Sequence, residues 1–210
     1  MVLKRLIRSL KRPGRLLGFL LFGELFLFFL FVFWYACPWV TLKIFNHGPP
    51  ILKIENWLFL IGIVSAITGW IVSSYITLRN SIKQHTINIL LQSRLSATYM
   101  DVAKHINSKF FSPTSSRDPV SVDFLNDPVN QKDLEAFVYI LNYLEFVAVG
   151  VRHGDIDEMV MKDTIRGILC GQFDKAKLFI MYQRGDNGTT VKSPKVFEHL
   201  VWLNNKWNSK

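Results

Sequence analysis

Two long apolar runs, residues 16–40 and 57–78, dominate the hydropathy pattern of the 210-residue chain. The first run holds one ionisable side chain, Glu24, and the second holds none. At a rise of 1.5 Å per residue the two runs form helices of about 37 and 33 Å, whereas the hydrocarbon core of a bilayer is about 30 Å thick. Both runs are long enough to cross a membrane. The pattern therefore predicts a two-span transmembrane helical hairpin within residues 16–78 rather than buried helices of a soluble protein.

The remaining residues, 79–210, show apolar positions at helical spacing, so we expect an all-α protein in which a small helical bundle follows the hairpin. The predicted segments are a helix over 79–111 that continues the second span, an irregular connection over 112–130, a central helix over 131–152, a helix that starts near Asp155 and breaks near Gly171, and a last helix over 194–207. The stripe expected to face the core in the first of these is Leu91, Leu95, Tyr99, Val102, Ile106 and Phe110.

Three local signals predict where the later helices begin and end. Gly154, after His153, is expected to end the central helix. Asp155 with Glu158 predicts a capping box at the start of the next helix. Pro194, after Ser193, predicts the first residue of the last helix.

The distribution of charge predicts how the spans are oriented. Residues 1–15 contain six basic residues and no acid, whereas the loop between the spans contains only Lys43 and Lys53 against Glu55. The positive-inside rule then gives a multi-pass protein of the inner (cytoplasmic) membrane with both termini and the bundle in the cytoplasm. Residues 1–15 predict a basic amphipathic helix that lies on anionic lipid headgroups, with a disordered basic tail as the alternative.

Two features inside the spans are candidate sites. Glu24 would lie about 12 Å deep if the span begins at Leu16, and a carboxylate there must be paired, be neutral or reach the headgroups. Both an intramembrane site and an interfacial position fit the sequence. The second span carries a stripe of small residues that lets another helix approach closely, either the first span or a second copy of the chain: Gly62, Ala66, Gly69 and Ser73. Antiparallel packing would place Glu24 level with Gly69 or Trp70.

Glu145 is the candidate polar site of the bundle. At 100° per residue it falls about 20° from Leu134, in the middle of the apolar stripe of the central helix. A buried carboxylate must be paired or neutral. Arg152, Arg166 and Arg184 are the candidate partners of this carboxylate.

The formal net charge of +9 comes largely from the N-terminus. Residues 79–210 contain 17 basic and 14 acidic residues, a balance that does not indicate a nucleic-acid partner. Cys37 would lie at the outer end of the first span and Cys170 in the cytoplasm, so the two thiols are too far apart to form a disulfide. We expect Cys170 to be a buried structural thiol.

The sequence shows no arrangement of residues suited to catalysis, metal binding or cofactor binding. The five histidines lack metal-ligand spacing, and neither a phosphate-binding glycine loop nor a nucleophile elbow is present. We therefore expect no cofactor, no metal and no enzymatic activity. Arg79-Asn80-x4-His85 resembles the Arg/His pair of helical ribonuclease domains, and such a domain is kept as a remote alternative.

Residues 141–158 resemble the central segment of an uncharacterised bacterial and phage family, domain of unknown function 4760. The family pattern is an Asn-x-x-Glu helix, a basic-Gly turn, an Asp-Glu pair, an Ile-x-x-x-Arg segment and a terminal aromatic-Leu-x-x-x-Trp. The matching residues here are Asn142 and Glu145, Arg152 to Gly154, Asp157 and Glu158, Ile180 and Arg184, and Trp202-Leu203 with Trp207. The resemblance covers about residues 60–207, except for the proline-containing stretch 112–130. It implies a membrane anchor followed by a small helical domain, and it implies no activity.

Together these features favour a membrane-anchored interaction or regulatory protein that binds another protein or a second copy of itself. One candidate role for such a protein is a prophage-type exclusion or defence component. The alternative is a pore-forming or membrane-disrupting effector, which Glu24, the small-residue stripe and the amphipathic N-terminus would serve.

Overall fold

The protein is helical in all the parts that its structure, a computed structural model, describes, namely residues 13–36, 53–116, 118–185 and 193–209. The helices are α1 (Pro13–Ala36), α2 (Ile54–Leu95), α3 (Ala97–Phe110), α4 (Val122–Asn126), a 3₁₀ turn (Pro128–Asn130), α5 (Gln131–His153), α6 (Glu158–Arg184) and α7 (Glu198–Asn208). No strand occurs in these ranges, so the all-α prediction is confirmed. The predicted amphipathic segment up to Arg12 and most of the loop between the two apolar runs lie outside the described residues.

The chain divides into two compact units, Met1–Ser81 and Ile82–Lys210. Among the described residues, three helical stretches are long and apolar enough to cross a membrane: Leu16–Ala36, Ile54–Leu95 and Pro128–His153. The most apolar parts of the first two are almost entirely exposed, whereas half of the corresponding part of the third is buried. The third stretch is therefore a core helix of the second unit, whereas the first two expose an apolar surface that is compatible with membrane association.

Within the first unit, α1 and α2 pack against each other in opposite directions. The Tyr35 and Trp57 rings meet edge to face with centroids 4.9 Å apart, and Thr68 Oγ1 donates to Glu24 Oε1 at 3.4 Å. Nearer the start of α1, Gly14 lies against the ring of Tyr75. Later residues of α1 thus meet earlier residues of α2. Glu24 lies level with Thr68, one residue from Gly69 and two from Trp70, the two expected positions.

The small-residue stripe of α2 does not face α1. Gly62, Ala66, Gly69 and Ser73 are all exposed, and no atom lies within 4 Å of the position where a Cβ would be added to Gly62 or Gly69. The buried and half-buried side of this part of α2 contains mainly larger side chains: Trp57, Leu60, Val64, Thr68 and Ile71. The prediction that the stripe packs against the first span is wrong. The bulky face of α2 buries more area against the phenylalanine-rich α1 than small side chains could.

The helix predicted over residues 79–111 is interrupted at Ser96. Ser96 adopts an extended backbone conformation, and its hydroxyl accepts from the Tyr99 N–H at 3.3 Å as the N-cap of α3. Because the helical phase restarts there, Leu91 and Leu95 are exposed, and Ile89 and Leu90 are buried instead. From Tyr99 onward the predicted stripe does pack against the core, with Ile106 completely buried. The expected continuity with the second span is thus confirmed as far as Leu95, and the expectation of a single helix is wrong at Ser96. The predicted stripe is wrong at Leu91 and Leu95 and correct from Tyr99 onward.

Residues 112–130 are more ordered than predicted. Ser121 and Asp127 cap α4 and the following 3₁₀ turn by accepting backbone hydrogen bonds, and Leu125 is completely buried. The Val120 N–H donates to the Lys175 carbonyl at 2.9 Å, and Lys175 Nζ donates to the Asp118 carbonyl at 3.2 Å. This connection is thus attached to α6 and forms part of the bundle.

Helix α5 is the centre of the second unit and matches the predicted 131–152 closely. Gly154 ends it with a left-handed φ of 85°, as expected. Three expectations for the later helices are wrong. Asp157 rather than Asp155 caps α6, and α6 runs through Gly171 without a break. Helix α7 begins at Glu198 rather than Pro194, after Phe197 in a left-handed conformation (φ 52°).

Candidate functional site

The carboxylate of Glu145 on α5 binds the N-terminus of α7. Its Oε2 accepts from the Leu200 N–H at 2.7 Å, and its Oε1 accepts from the backbone N–H and Nδ1 of His199 at 3.2 and 2.9 Å. Since an ionised carboxylate only accepts, His199 carries its proton on Nδ1 in this contact. The first backbone N–H groups of a helix lack internal partners and attract negative charge. The predicted arginine pairing of Glu145 is therefore wrong, because a helix N-terminus provides the donors instead.

Two of the three candidate arginines, Arg152 and Arg184, contact α7 or the segment just before it. Arg152 Nη1 donates to Glu198 Oε1 at 3.1 Å, and its guanidinium lies 5.6 Å from the centre of the Trp202 ring. The Arg152 side chain holds the pKa of Glu198 below its ordinary value through this hydrogen bond. Arg184 Nη1, at the end of α6, donates to the Val196 carbonyl at 3.1 Å. Arg152 thus binds the first turns of α7, and Arg184 binds the segment that leads into it.

Asp157 and Glu158 connect the start of α6 with its neighbours. Asp157 Oδ1 accepts from the N–H groups of Met159 and Val160, and the Asp157 N–H donates to Thr86 Oγ1 at 2.8 Å. Glu158 accepts from Trp207 Nε1 at 3.3 Å and also pairs with Lys206. Trp207 itself is 1% exposed. These contacts join the start of α6 both to α2 and to the last turn of α7.

The predicted residues of the second unit therefore hold its helices together. Glu145, Arg152, Asp157, Glu158, Arg184 and Trp207 all contact α7, the segment before it, or the start of α6. Asn142 is exposed on α5 and is not among these contacts. This arrangement joins three helices, so we assign it to fold stability. The other predicted residues, Glu24 and the small stripe, lie in the first unit.

A second polar centre was not expected from the sequence. Asp133, which is 2% exposed, accepts from His105 Nε2 at 2.8 Å and also pairs with Lys109. Burial alone would raise the pKa of Asp133, but the hydrogen bonds from Lys109 and His105 outweigh it and hold this pKa below its ordinary value. The three residues join α3 to α5. Acidic residues are common in the first turn of a helix, so the sequence did not distinguish Asp133 from an ordinary residue at the start of α5.

The second unit contains a cavity of about 690 Å³. Its walls come from the end of α2, from α3, from the middle of α5 and from α6. Most of the lining is apolar and includes Met100, Phe111, Leu144 and Ile165. A cavity of this size and lining falls within the range of small-molecule sites, which is about 300–1,000 Å³.

A few polar side chains also line this cavity. Arg94 lies at its exposed edge, and the Tyr99 and Tyr143 rings meet at a centroid distance of 5.0 Å. Burial raises the pKa of Tyr99, Tyr143 adds to this effect, and Arg94 acts in the opposite direction. The Tyr143 hydroxyl and Gln172 Oε1 are buried and have no hydrogen-bond partner among the described residues. Leaving a buried polar atom unpaired costs roughly 1–3 kcal/mol.

Comparison with known families connects this geometry to a wider group of proteins. The family model described as a domain of unknown function, DUF4760, matches residues 59–207. The chain belongs to this family. No curated protein and no solved structure matches the chain. The DUF4760 match begins in α2 and ends at Trp207, so it includes the cavity, the Asp133 centre and every contact of Glu145.

Two further observations limit the chemistry of this DUF4760 chain. Burial raises the pKa of the Cys170 thiol, which keeps it protonated and unreactive near neutral pH. Among the described residues, no group of three or more His, Cys, Asp or Glu side chains is placed to hold a metal ion. The cavity can hold an apolar molecule, and its polar side chains can orient that molecule.

Proposed function

We propose that this DUF4760 chain is a non-enzymatic membrane protein. In this proposal α1 and the first part of α2 cross the inner membrane as a hairpin. The bundle lies in the cytoplasm and acts as an interaction or regulatory module. The observation that carries the proposal is the difference in apolar exposure between the two units. Large apolar side chains such as Phe22 and Phe59 are about 70% exposed in the first unit, whereas those of the second unit form a buried core. A bilayer is the environment that favours the first pattern.

The contact between Glu24 and Thr68 supports the hairpin. A carboxyl group in hydrocarbon needs a partner, and Thr68 on the neighbouring helix supplies one hydroxyl donor. The other carboxyl oxygen, Oε2, is buried and has no partner among the described residues.

The surface through which the bundle binds a partner is the exposed apolar stripe Ile87, Leu91 and Leu95. These residues recur every four positions on the part of α2 that belongs to the second unit, and each is about half exposed or more. An apolar helical stripe of this kind pairs with a helix of another protein or of a second copy. The basic N-terminus adds attraction to anionic lipid headgroups.

Crosslinking in intact membranes followed by affinity capture tests this proposal. We expect a specific crosslinked species from the wild type, its loss in Leu91→Glu, and its retention in Gln92→Glu, which places the same charge on the neighbouring exposed position. Mass spectrometry of the species identifies either a partner or a second copy. A crosslinking pattern that is identical in both variants would rule out this surface.

A pore-forming effector is the second candidate, because the unpartnered Glu24 Oε2 and the exposed small stripe would suit a polar path between several chains. Dye entry or loss of membrane potential after overexpression would favour it, and Glu24→Gln should then reduce the leak. An intact permeability barrier favours the interaction module. A defence or exclusion role is tested separately by measuring phage plaque formation with and without the protein.

A further inference from the structure

The cavity of the second unit is enclosed by four helical segments and is lined mainly by apolar side chains. Ile140 and Leu144 of α5 face Ile165 and Ile168 of α6, and Met100 and Phe111 complete the apolar surface. Water gains little in such a space, because it needs two to four polar partners to stay bound. An apolar molecule of moderate size gains the burial of its surface there. The body of an occupant should therefore be apolar.

The charge at the edge of the cavity selects the sign of the occupant's head. Arg94 is the one charged side chain in the lining, which contains no Asp, Glu, Lys or His. No carboxylate among the described residues forms an ion pair with its guanidinium. A guanidinium binds a carboxylate or phosphate through two parallel hydrogen bonds. An anionic head near Arg94 is thus complementary to the cavity in charge and in geometry.

In the wall of the cavity, Gln172 has an unpaired hydrogen-bond acceptor. Its side chain is 5% exposed, and its Oε1 has no partner among the described residues. The terminal torsion of a glutamine is soft, so this oxygen can turn toward a molecule in the cavity. The unpartnered Tyr143 hydroxyl offers a second polar contact on the opposite wall. Both oxygens are shielded from solvent, so an occupant reaches them when the side chains turn toward the cavity.

We infer that the cavity binds a small amphipathic anion. Its acidic head pairs with Arg94, and its N–H or O–H group donates a hydrogen bond to Gln172. Its apolar chain or ring fills the space between α5 and α6. This inference goes beyond the proposed function, because it concerns a small ligand rather than a membrane or a protein partner. It makes the bundle a receptor for acids that carry an amide or hydroxyl group, such as N-acylated amino acids.

Photolabelling tests this ligand class on the full-length chain in lipid nanodiscs. The probe is N-dodecanoylglycine with a diazirine in its acyl chain, which carries a carboxylate, an amide N–H and an apolar chain. Adducts are assigned to peptides by mass spectrometry, so labelling of the cavity is separated from labelling of α1 and the apolar part of α2. Two matched probes are its methyl ester, which lacks the charge, and the acyl glycolate, in which oxygen replaces the amide N–H.

Cavity filling is tested at Gly167, which lines the cavity and has no atom within 4 Å of the position of an added Cβ. Gly167→Leu should reduce labelling of the α3, α5 and α6 peptides about tenfold or more, and Gly167→Ala, which adds one methyl group, should retain most of it. Circular dichroism and a thermal melt check that both variants fold. Cavity labelling that is unchanged in a folded Gly167→Leu protein would contradict the inference.

The polar contacts are tested by exchanging probes and side chains together. Arg94→Gln should lower labelling by the acid about tenfold, as expected for one charge-assisted hydrogen bond, and should not affect the methyl ester. Lys104→Gln, an exposed charge on α3 outside the lining, is the matched control. Gln172→Leu should remove the preference for the amide over the glycolate. Equal labelling of the wild type by all three probes, or adducts confined to the membrane helices, would overturn the assignment.

Discussion

Glu145 Oε2 accepts a hydrogen bond from the backbone N–H of Leu200 at 2.7 Å, so a side chain of α5 caps a helix more than fifty residues further along the chain. Phe197, the residue before α7, has no side-chain oxygen with which to cap the helix. The carboxylate of Glu145 takes this role and adds a negative charge at the positive end of the helix. The end of the DUF4760 domain is thereby attached to its central helix.

Replacement of this carboxylate should release α7 locally. Glu145→Ala leaves two backbone donors and the His199 ring without their acceptor, and we expect a loss of about 1–3 kcal/mol. Hydrogen exchange of the full-length chain should show the amides of residues 198–208 exchanging faster, with α3 unchanged. Asn142→Ala, at an exposed position of the same helix, is the control. Unchanged protection in Glu145→Ala would show that the carboxylate does not cap α7.

The Asp133 centre should make stability depend on pH in the acid range. The folded pKa of Asp133 lies below its ordinary value of about 4, so the ionised carboxylate stabilises the fold above that pH. This contribution is lost as the pH falls through the lowered folded pKa. Asp133→Asn should be less stable than the wild type at neutral pH and should lose less stability on acidification. Denaturant unfolding between pH 2 and 7 measures both effects, and Asp123→Asn is the exposed control. If the free energies of unfolding of the wild type and of Asp133→Asn changed in parallel with pH, this account would be contradicted.

Gly150 should tolerate no side chain. A Cβ at this position would overlap the Cδ1 and Cγ1 atoms of Ile156, so this side chain, which is 3% exposed, would have to shift within the core. Gly150→Ala should cost about 1–3 kcal/mol through overpacking. The same substitution should cost less in an Ile156→Ala background, because the overlap is absent there. Equal costs in the two backgrounds, measured by thermal unfolding, would show that the contact is not the cause.

The packing of α1 against α2 predicts a specific crosslink within one chain. Cysteines at positions 24 and 68, in a chain in which Cys37 and Cys170 are Ser, should be joined by a short thiol crosslinker. Gly69→Leu should leave the yield unchanged because Gly69 points away from α1, whereas Ile71→Ala, which removes a side chain that is 4% exposed, should lower it. Crosslinks that form between chains but never within one would contradict this pairing.

The sequence predicted the elements whose causes are local. The helix over 131–152 was recognised because its apolar positions persist until Gly154, and only glycine readily adopts the left-handed conformation found there. The register of Glu24 was predicted within one or two residues from helix length alone. Ser96 was missed because the apolar spacing continues across it, and nothing in the periodicity shows that its hydroxyl caps a new helix.

Long-range pairing could not be predicted in the same way. The position of Glu145 in an apolar stripe shows that its carboxylate needs partners, but the backbone donors of α7 have no signature in the sequence. The exposure of Gly62 and Gly69 likewise depends on which face of α2 buries more area against α1. The cavity is the clearest case, because Arg94, Tyr143 and Gln172 are distant in sequence and become one site only when three helices meet.

Reporter fusions test the central claim, the membrane-anchored topology, most directly. The reporter combines a phosphatase that is active only outside the cytoplasm with a protein that is fluorescent only inside it. A fusion after His47 should show the phosphatase activity, and a fusion after Lys210 should show the fluorescence. We expect this because the basic residues lie before the first span and after the second. This pair of results is the one that the account predicts. An external reporter at Lys210, or a fusion protein recovered in the soluble fraction, would contradict it.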